Sequence, residues 1–208
     1  MSSRQHTPVV PLKAGAGPDN PPCPACGEPL FGWIDTRPGL AGPVSRCESC
    51  GLGVIGDPGG AAEALQDLDR LGCESPLVAN RDGFSAWLGG AGWSGLQPGA
   101  RHLYTAEAVR RLVANRDQVV RSVRWAPARG VTAMWQTVLN SVTFGRNVAL
   151  GALGRAEPVP AGRAWQRRND ALISVLGAIP ALIVALPLEL LAAALRRGGA
   201  LRLRLELL

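Results

Sequence analysis

The sequence predicts an α+β chain, in which a small cysteine-rich β-module precedes a partial, mostly helical region with a short antiparallel strand pair. Three observations predict this class. They are two Cys-x-x-Cys pairs near the N-terminus, an apolar run at 171–195, and a strictly alternating segment at 200–207. The 208 residues suffice for one ordinary domain, or for a small domain followed by a medium one.

The composition excludes a wholly disordered chain, because 47% of the residues are hydrophobic. The 26 glycines and 17 prolines interrupt regular structure often and argue against one large regular core. The formal net charge is +6, and Lys13 is the only lysine among the basic residues. Such a basic surplus suits acidic lipid headgroups and nucleic acid equally, so motifs must decide between them.

Four cysteines form two Cys-x-x-Cys pairs at 23–26 and 47–50, and a glycine follows each pair. Zinc accepts four thiolates tetrahedrally at about 2.3 Å, and paired spacing of this kind is typical of zinc knuckles. Two disulfides, or four unrelated buried cysteines, are the alternative interpretations. We predict a zinc ribbon over 23–56. Its metal ligands are Cys23, Cys26, Cys47 and Cys50.

A site with four sulfur ligands has no open coordination position, so we expect this zinc to be structural rather than catalytic. Cysteines committed to a metal indicate a reducing compartment, which favours a cytoplasmic protein. The fifth cysteine, Cys73, has no histidine or second cysteine beside it in the sequence and is expected to be inert.

The segments around the ribbon have weaker signals. Residues 1–22 are rich in proline, glycine and polar residues, which predicts a disordered tail without a secretory signal. Residues 57–76 predict a linker with a short helix at 61–72, and 77–79 predict a brief strand. The remaining segment, 77–208, is predicted to form one C-terminal region.

Within that region, Thr105 is placed to cap a helix over 106–115. Branched and aromatic residues at 119–125 predict a strand. Apolar residues between 131 and 142 recur at helical spacing and predict an amphipathic helix. Leucine alternates with charged residues over 200–207, which predicts a half-buried strand whose partner is the strand at 119–125.

The apolar run at 171–195 predicts a hydrophobic helix, interrupted by two prolines and carrying one acidic residue, Glu189. At ~1.5 Å per residue it is long enough to cross a hydrocarbon core of ~30 Å. A single crossing would separate the strands at 119–125 and 200–207. We therefore favour strand pairing with the helix in or on the membrane surface, and full crossing is the alternative.

Charge placement favours a lipid partner over nucleic acid. Between the first and last predicted ligands the only basic residues are Arg37 and Arg46, too few for strong phosphate contact. Most of the other basic residues lie at 101–168 and near the C-terminus, beside apolar segments. This arrangement argues against nucleic acid and fits an anionic membrane surface contacted through 171–195.

The chain also resembles a known family. Residues 77–208 are similar to the C-terminal third of class I S-adenosylmethionine-dependent methyltransferases that carry an N-terminal zinc ribbon. The resembling segments are 78–80, 84–88, 93–98, 101–105, 119–121 and 198–203, together with the Cys-Pro-x-Cys-Gly and Cys-x-x-Cys-Gly-Leu knuckles.

The departure from the family is informative. Its members hold their cofactor-binding strands between ribbon and C-terminal third, whereas only 57–76 lie there in this chain. The resemblance thus implies that this chain alone does not bind S-adenosylmethionine, and it supplies no catalytic or cofactor-binding residue. His102 and Tyr104 match a family motif, but a packing role is expected for both.

Three functions follow from these observations. The first is a degenerate methyltransferase-like zinc-binding protein that serves as a non-catalytic binding or partner module. The second is an S-adenosylmethionine-dependent methyltransferase that is active only with a partner chain supplying the core. The third is a membrane-associated zinc-ribbon protein.

Overall fold

The computed structural model describes residues 20–207 and confirms the predicted α+β class. The predicted tail lies almost entirely outside these residues. Its last residue, Pro22, forms an antiparallel bridge with Pro29 of the ribbon. The strands are β1 (Leu30–Ile34), β2 (Val44–Cys47), β3 (Gly53–Ile55), β4 (Leu77–Ala79), β5 (His102–Leu103), β6 (Gln118–Trp125) and β7 (Ala200–Leu207).

Helices alternate with the later strands and cover the sheets. They are α1 (Ala61–Arg70), α2 (Phe84–Gly89), α3 (Ala106–Ala114), α4 (Pro127–Asn140), α5 (Val148–Ala152) and α6 (Ala164–Ala194). Thr105 caps α3 as predicted, because its hydroxyl oxygen accepts from the Ala108 N–H at 3.0 Å. The hydrophobic helix is confirmed, but it begins at residue 164 rather than 171.

The ribbon forms a four-stranded antiparallel sheet in the order β1-β2-β3-β5. β5 comes from the C-terminal region and pairs with β3 through Gly53 and Leu103. A side chain at Gly53 would meet the Leu103 side chain at 3.0 Å, so glycine permits this close approach. The sheet of the ribbon is therefore completed by a strand from outside the predicted ribbon.

One hydrophobic core joins the ribbon to the rest of the chain. It contains Cys23, Cys47 and Cys50 with Leu68 of α1, Leu112 of α3 and Leu203 of β7. Full burial of a leucine stabilises the fold by about 1.5–3 kcal/mol. The short helix predicted within 57–76 thus forms as α1 and packs into this core.

The second sheet has the order β4-β7-β6, and every pairing in it is antiparallel. β6 and β7 pair from Gln118–Leu207 to Trp125–Leu201, which confirms the predicted strand pair. The expectation of a single partner is wrong, because β4 pairs with the other edge of β7. A strand of three residues carries too little periodicity to reveal that pairing in the sequence.

Candidate metal centre and the exposed face of the long helix

The four predicted ligands meet at one point between the two knuckles. Sγ of Cys23 lies 3.6 Å from Sγ of Cys50, and Sγ of Cys26 lies 3.4 Å from Sγ of Cys47. All four sulfurs lie within 4.8 Å of one another. A tetrahedral zinc site with bonds of about 2.3 Å would separate its sulfurs by about 3.8 Å. The cluster is therefore close enough to hold a metal ion and compatible with structural zinc.

The backbone of each knuckle explains why glycine follows each cysteine pair. The Gly27 N–H donates to the Cys23 carbonyl at 2.8 Å, and the Gly51 N–H donates to the Cys47 carbonyl at 3.0 Å. Both glycines have a φ of 76°, a left-handed conformation that other residues rarely adopt. Glycine therefore permits the tight turn that closes each knuckle.

The chemistry of the thiols fits a cation rather than a disulfide. All five cysteines are free. Contact with the Cys23 thiol and burial raise the pKa of the Cys50 thiol, and burial raises the pKa of the Cys26 thiol. Thiolates crowded at one buried point repel one another, and a bound divalent cation offsets that repulsion. Because four sulfurs complete a tetrahedron, an ion here would stabilise the fold and leave no position for a substrate.

His102 and Tyr104, which were also singled out in the sequence, are engaged in packing. Nδ1 of His102 lies 2.7 Å from a carboxylate oxygen of Asp67 on α1. The Tyr104 hydroxyl donates to the Ala64 carbonyl at 2.7 Å, and burial raises the pKa of Tyr104. Cys73 is exposed and lies 3.7 Å from a backbone carbonyl. His102 and Tyr104 therefore hold α1 against the ribbon sheet.

The second distinctive feature is the outer face of α6. Among the described residues, this one helix is long and apolar enough to cross a bilayer by length and composition, yet only 17% of its most apolar window is buried. Large apolar side chains that are 46–74% exposed cover this face. They are Leu172, Val175, Leu176, Ile179, Leu182, Ile183, Val184, Leu186, Leu190 and Leu191.

The inner face of α6 is different in character. Ala181, Ala185 and Ala192 recur at helical spacing, are buried, and leave room for α4 to pack closely. Glu189 is also buried on this face, and it accepts hydrogen bonds from the Gly199 N–H at 2.6 Å and from the Trp125 indole. The acidic residue in the apolar run therefore faces the protein and not the surroundings.

Both ends of α6 are attached to the same folded body. Near the N-terminal end, the Asp170 carboxylate accepts from the backbone N–H groups of Phe144 and Gly145 at 2.7 and 2.8 Å. The adjoining loop reaches the ribbon, since the Arg146 side chain donates to the Pro38 carbonyl at 2.5 Å. At the other end, the Asn80 side chain donates to the Gly198 carbonyl at 2.9 Å.

No family model, curated protein or solved structure matches the chain. The geometry described above therefore carries the functional argument.

Proposed function

We propose that this protein is a non-catalytic, zinc-stabilised binding module that attaches to a membrane surface through the outer face of α6. The observation that carries the proposal is the contiguous apolar face between Leu172 and Leu191, exposed on a chain that otherwise buries a normal core. Soluble monomers rarely expose an apolar patch of more than a few hundred Å², and larger patches mark contact with membranes or proteins.

Hydrophobic transfer supplies the affinity in this proposal. Burying a large apolar side chain fully is worth about 1.5–3 kcal/mol, so each half-exposed residue contributes on the order of 1 kcal/mol. Exposed arginines flank the face, namely Arg163, Arg167 and Arg168 on one side and Arg196 and Arg197 on the other. Such residues extend their charged heads to anionic headgroups at a membrane surface. The combination favours an anionic bilayer over a purely apolar protein partner.

The attachment of both helix ends supports surface binding over crossing. β6 and β7 pair along their length, so the chain must leave and re-enter on one side of any bilayer. The helix that leaves the sheet, α4, has 14 residues and spans about 21 Å, too short for a hydrocarbon core of about 30 Å. We therefore place α6 along the interface, with its buried alanines toward α4.

In this proposal the cysteine cluster binds zinc and has a structural role. The ribbon shares a core with α1, α3 and β7, so a metal that fixes the knuckles also supports the strand that follows α6. We place this module in the cytoplasm, where a reducing environment keeps the thiols free for the metal.

Flotation with lipid vesicles tests the proposal. We expect the full chain to float with vesicles of phosphatidylcholine and phosphatidylglycerol. Ile179→Glu should weaken binding by about ten-fold or more, since it places a carboxylate in the apolar contact. Leu207→Glu is the matched control, because Leu207 is 77% exposed at the far end of β7.

The outcomes of this experiment separate the alternatives. Release from vesicles by carbonate is expected for a surface-bound protein, whereas release by detergent alone would indicate an integral span. If the chain forms a dimer that covers α6 and does not float, the membrane proposal is wrong.

A second candidate, a methyltransferase completed by a partner chain, is favoured by the C-terminal arrangement. The chain ends with a hydrophobic helix, a turn and a last antiparallel strand, as the resembled family does. Within 20–207, the outer edge of β4 has no strand partner and offers a place for strands supplied in trans. Equilibrium dialysis with S-adenosylmethionine tests this. Our first proposal expects no binding tighter than millimolar by the chain alone, and tighter binding would favour the methyltransferase.

A further inference from the structure

A cavity of about 630 Å³ opens where the ribbon, the start of α3 and the end of α6 come together. Five arginines line it, against two acidic residues. The arginines are Arg46, Arg81, Arg110, Arg196 and Arg197. The acidic residues are Asp82 and Glu107. The lining therefore has an excess of positive charge, and a cavity of this size accommodates a phosphate group with part of the molecule that bears it.

Much of this charge is not neutralised by the protein. Arg196 and Arg197 have no ion-pair partner within the described part of the chain. Arg46 reaches Glu48 only at 3.7 Å. The Arg81 side chain is 10% exposed and donates to Asp82 at 2.7 Å, but its Nε lacks a hydrogen-bond partner among residues 20–207. Arg110 pairs with Glu107 at 3.4 Å. The two unpaired guanidinium groups of Arg196 and Arg197, together with the free Nε of Arg81, favour an anion with several acceptor oxygens.

The backbone adds further donors at the same place. Thr105 and Ala106 line the cavity at the start of α3. The first N–H groups of a helix have no intrahelical acceptor, and the positive end of its dipole favours an anion. The arginine side chains and the start of α3 therefore line the same cavity, although they come from different elements.

The cavity adjoins the apolar face of α6. Arg196 and Arg197 follow α6 directly in the chain, and Leu195 immediately before them is 63% exposed. Trp87 also lines the cavity and is 71% exposed, and tryptophan is enriched at membrane interfaces. An apolar face that ends at an arginine-lined cavity matches acyl chains that end at a phosphate.

We propose that this cavity binds a phosphate group, and that the headgroup of an anionic phospholipid is a ligand when the protein lies on a membrane. The assignment of a lipid as ligand rests on the membrane attachment proposed above. The assignment of a phosphate site does not, because a soluble phosphate compound presents the same oxygens to the same arginines.

Titration calorimetry at constant ionic strength tests the site, with inorganic phosphate and short-chain phosphatidic acid as the probes. We expect saturable binding of short-chain phosphatidic acid. The double variant Arg196→Gln/Arg197→Gln should weaken binding by about ten-fold or more through loss of charge-assisted hydrogen bonds. Arg129→Gln/Arg155→Gln removes the same charge from exposed positions outside the cavity and should leave binding unchanged.

The two probes distinguish the sources of the phosphate. Binding of inorganic phosphate that competes with the lipid shows that the phosphate group suffices. Binding of the lipid alone shows that its glycerol or acyl part is also required. The inference is overturned if neither probe saturates, or if the two double variants weaken binding equally.

Flotation with neutral phosphatidylcholine vesicles separates this inference from the proposed function. If the double variant still floats and no phosphate probe binds the wild type, the cavity inference fails and surface attachment stands. If phosphate binds and the wild type floats with no vesicle, the cavity is a site for soluble phosphate and the membrane proposal fails.

Discussion

The indole N–H of Trp125 donates a hydrogen bond of 2.9 Å to Oε1 of Glu189, which is fully buried on the inner face of α6. The bond joins the end of β6 to the last turns of the long helix. The other carboxylate oxygen, Oε2, has no hydrogen-bond partner among residues 20–207. An ionised carboxylate is thus incompletely satisfied at this position, and burial raises the pKa of Glu189 above its ordinary value of 4.5.

This contact predicts how stability depends on pH. Because the folded state retains the Glu189 proton to higher pH than the unfolded state, its contribution to stability is present below about pH 4.5 and is lost as pH rises through the folded pKa. Glu189→Gln keeps an acceptor for both N–H groups without the charge. We expect the variant to be more stable than the wild type at neutral pH, because it removes the cost of burying an ionised carboxylate.

Urea unfolding at several pH values measures that difference. The gain should vanish below about pH 4.5, and Glu157→Gln, at an exposed position, should show no gain at any pH. A constant difference across the pH range would show that folding does not change the pKa of Glu189, and would contradict this prediction.

Loss of the proposed zinc ion should destabilise α3 and β5 as well as the ribbon. The Thr105 hydroxyl that caps α3 also donates to the Cys50 carbonyl at 2.6 Å, so the second knuckle and α3 are directly connected. We expect Cys47→Ser to cost more than about 4 kcal/mol, a value typical of losing a structural metal. It should also increase amide hydrogen exchange in α3 and β5.

Zinc content and hydrogen exchange together check this expectation. Cys73→Ser is the control, because that thiol is exposed and lies outside the cluster. If removal of the metal by a chelator leaves exchange in α3 unchanged, the ribbon is energetically separate from the rest of the chain.

The central strand of the second sheet should be sensitive to truncation where it is buried and insensitive at its exposed end. Leu203 is 0% exposed in β7, between β4 and β6, whereas Leu207 of the same strand is 77% exposed. Leu203→Ala should cost about 2–5 kcal/mol, since it leaves a cavity in the shared core. Leu207→Ala should change the free energy of unfolding by less than about 0.5 kcal/mol. Equal effects in chemical denaturation would contradict the burial of Leu203 between β4 and β6.

Elements with a regular pattern over many residues could be predicted from the sequence. The alternation in β7 and the helical spacing in α4 each identify one structure by their period. The length of the apolar run identifies α6. The four ligands followed from their spacing, because two tight turns that each hold two sulfurs are a local property of the chain.

The remaining features depend on contacts between distant residues. β5 has only two residues, and its place in the ribbon sheet is set by Gly53 across the pairing. The burial of Glu189 depends on Trp125, which is 64 residues earlier in the chain. The arginine-lined cavity combines the ribbon, α3 and the end of α6. Local periodicity contains no signal for any of these contacts.

The orientation of α6 on a bilayer tests the account most directly. Nitroxide labels at single cysteines introduced along α6, in a Cys73→Ser background, report depth through collision with oxygen and with a water-soluble nickel complex. We predict that labels at 176, 179, 183 and 190 on the exposed face share one shallow depth. Labels whose depth rises to the bilayer centre along the helix and falls again would show that α6 crosses the membrane, and would contradict the account.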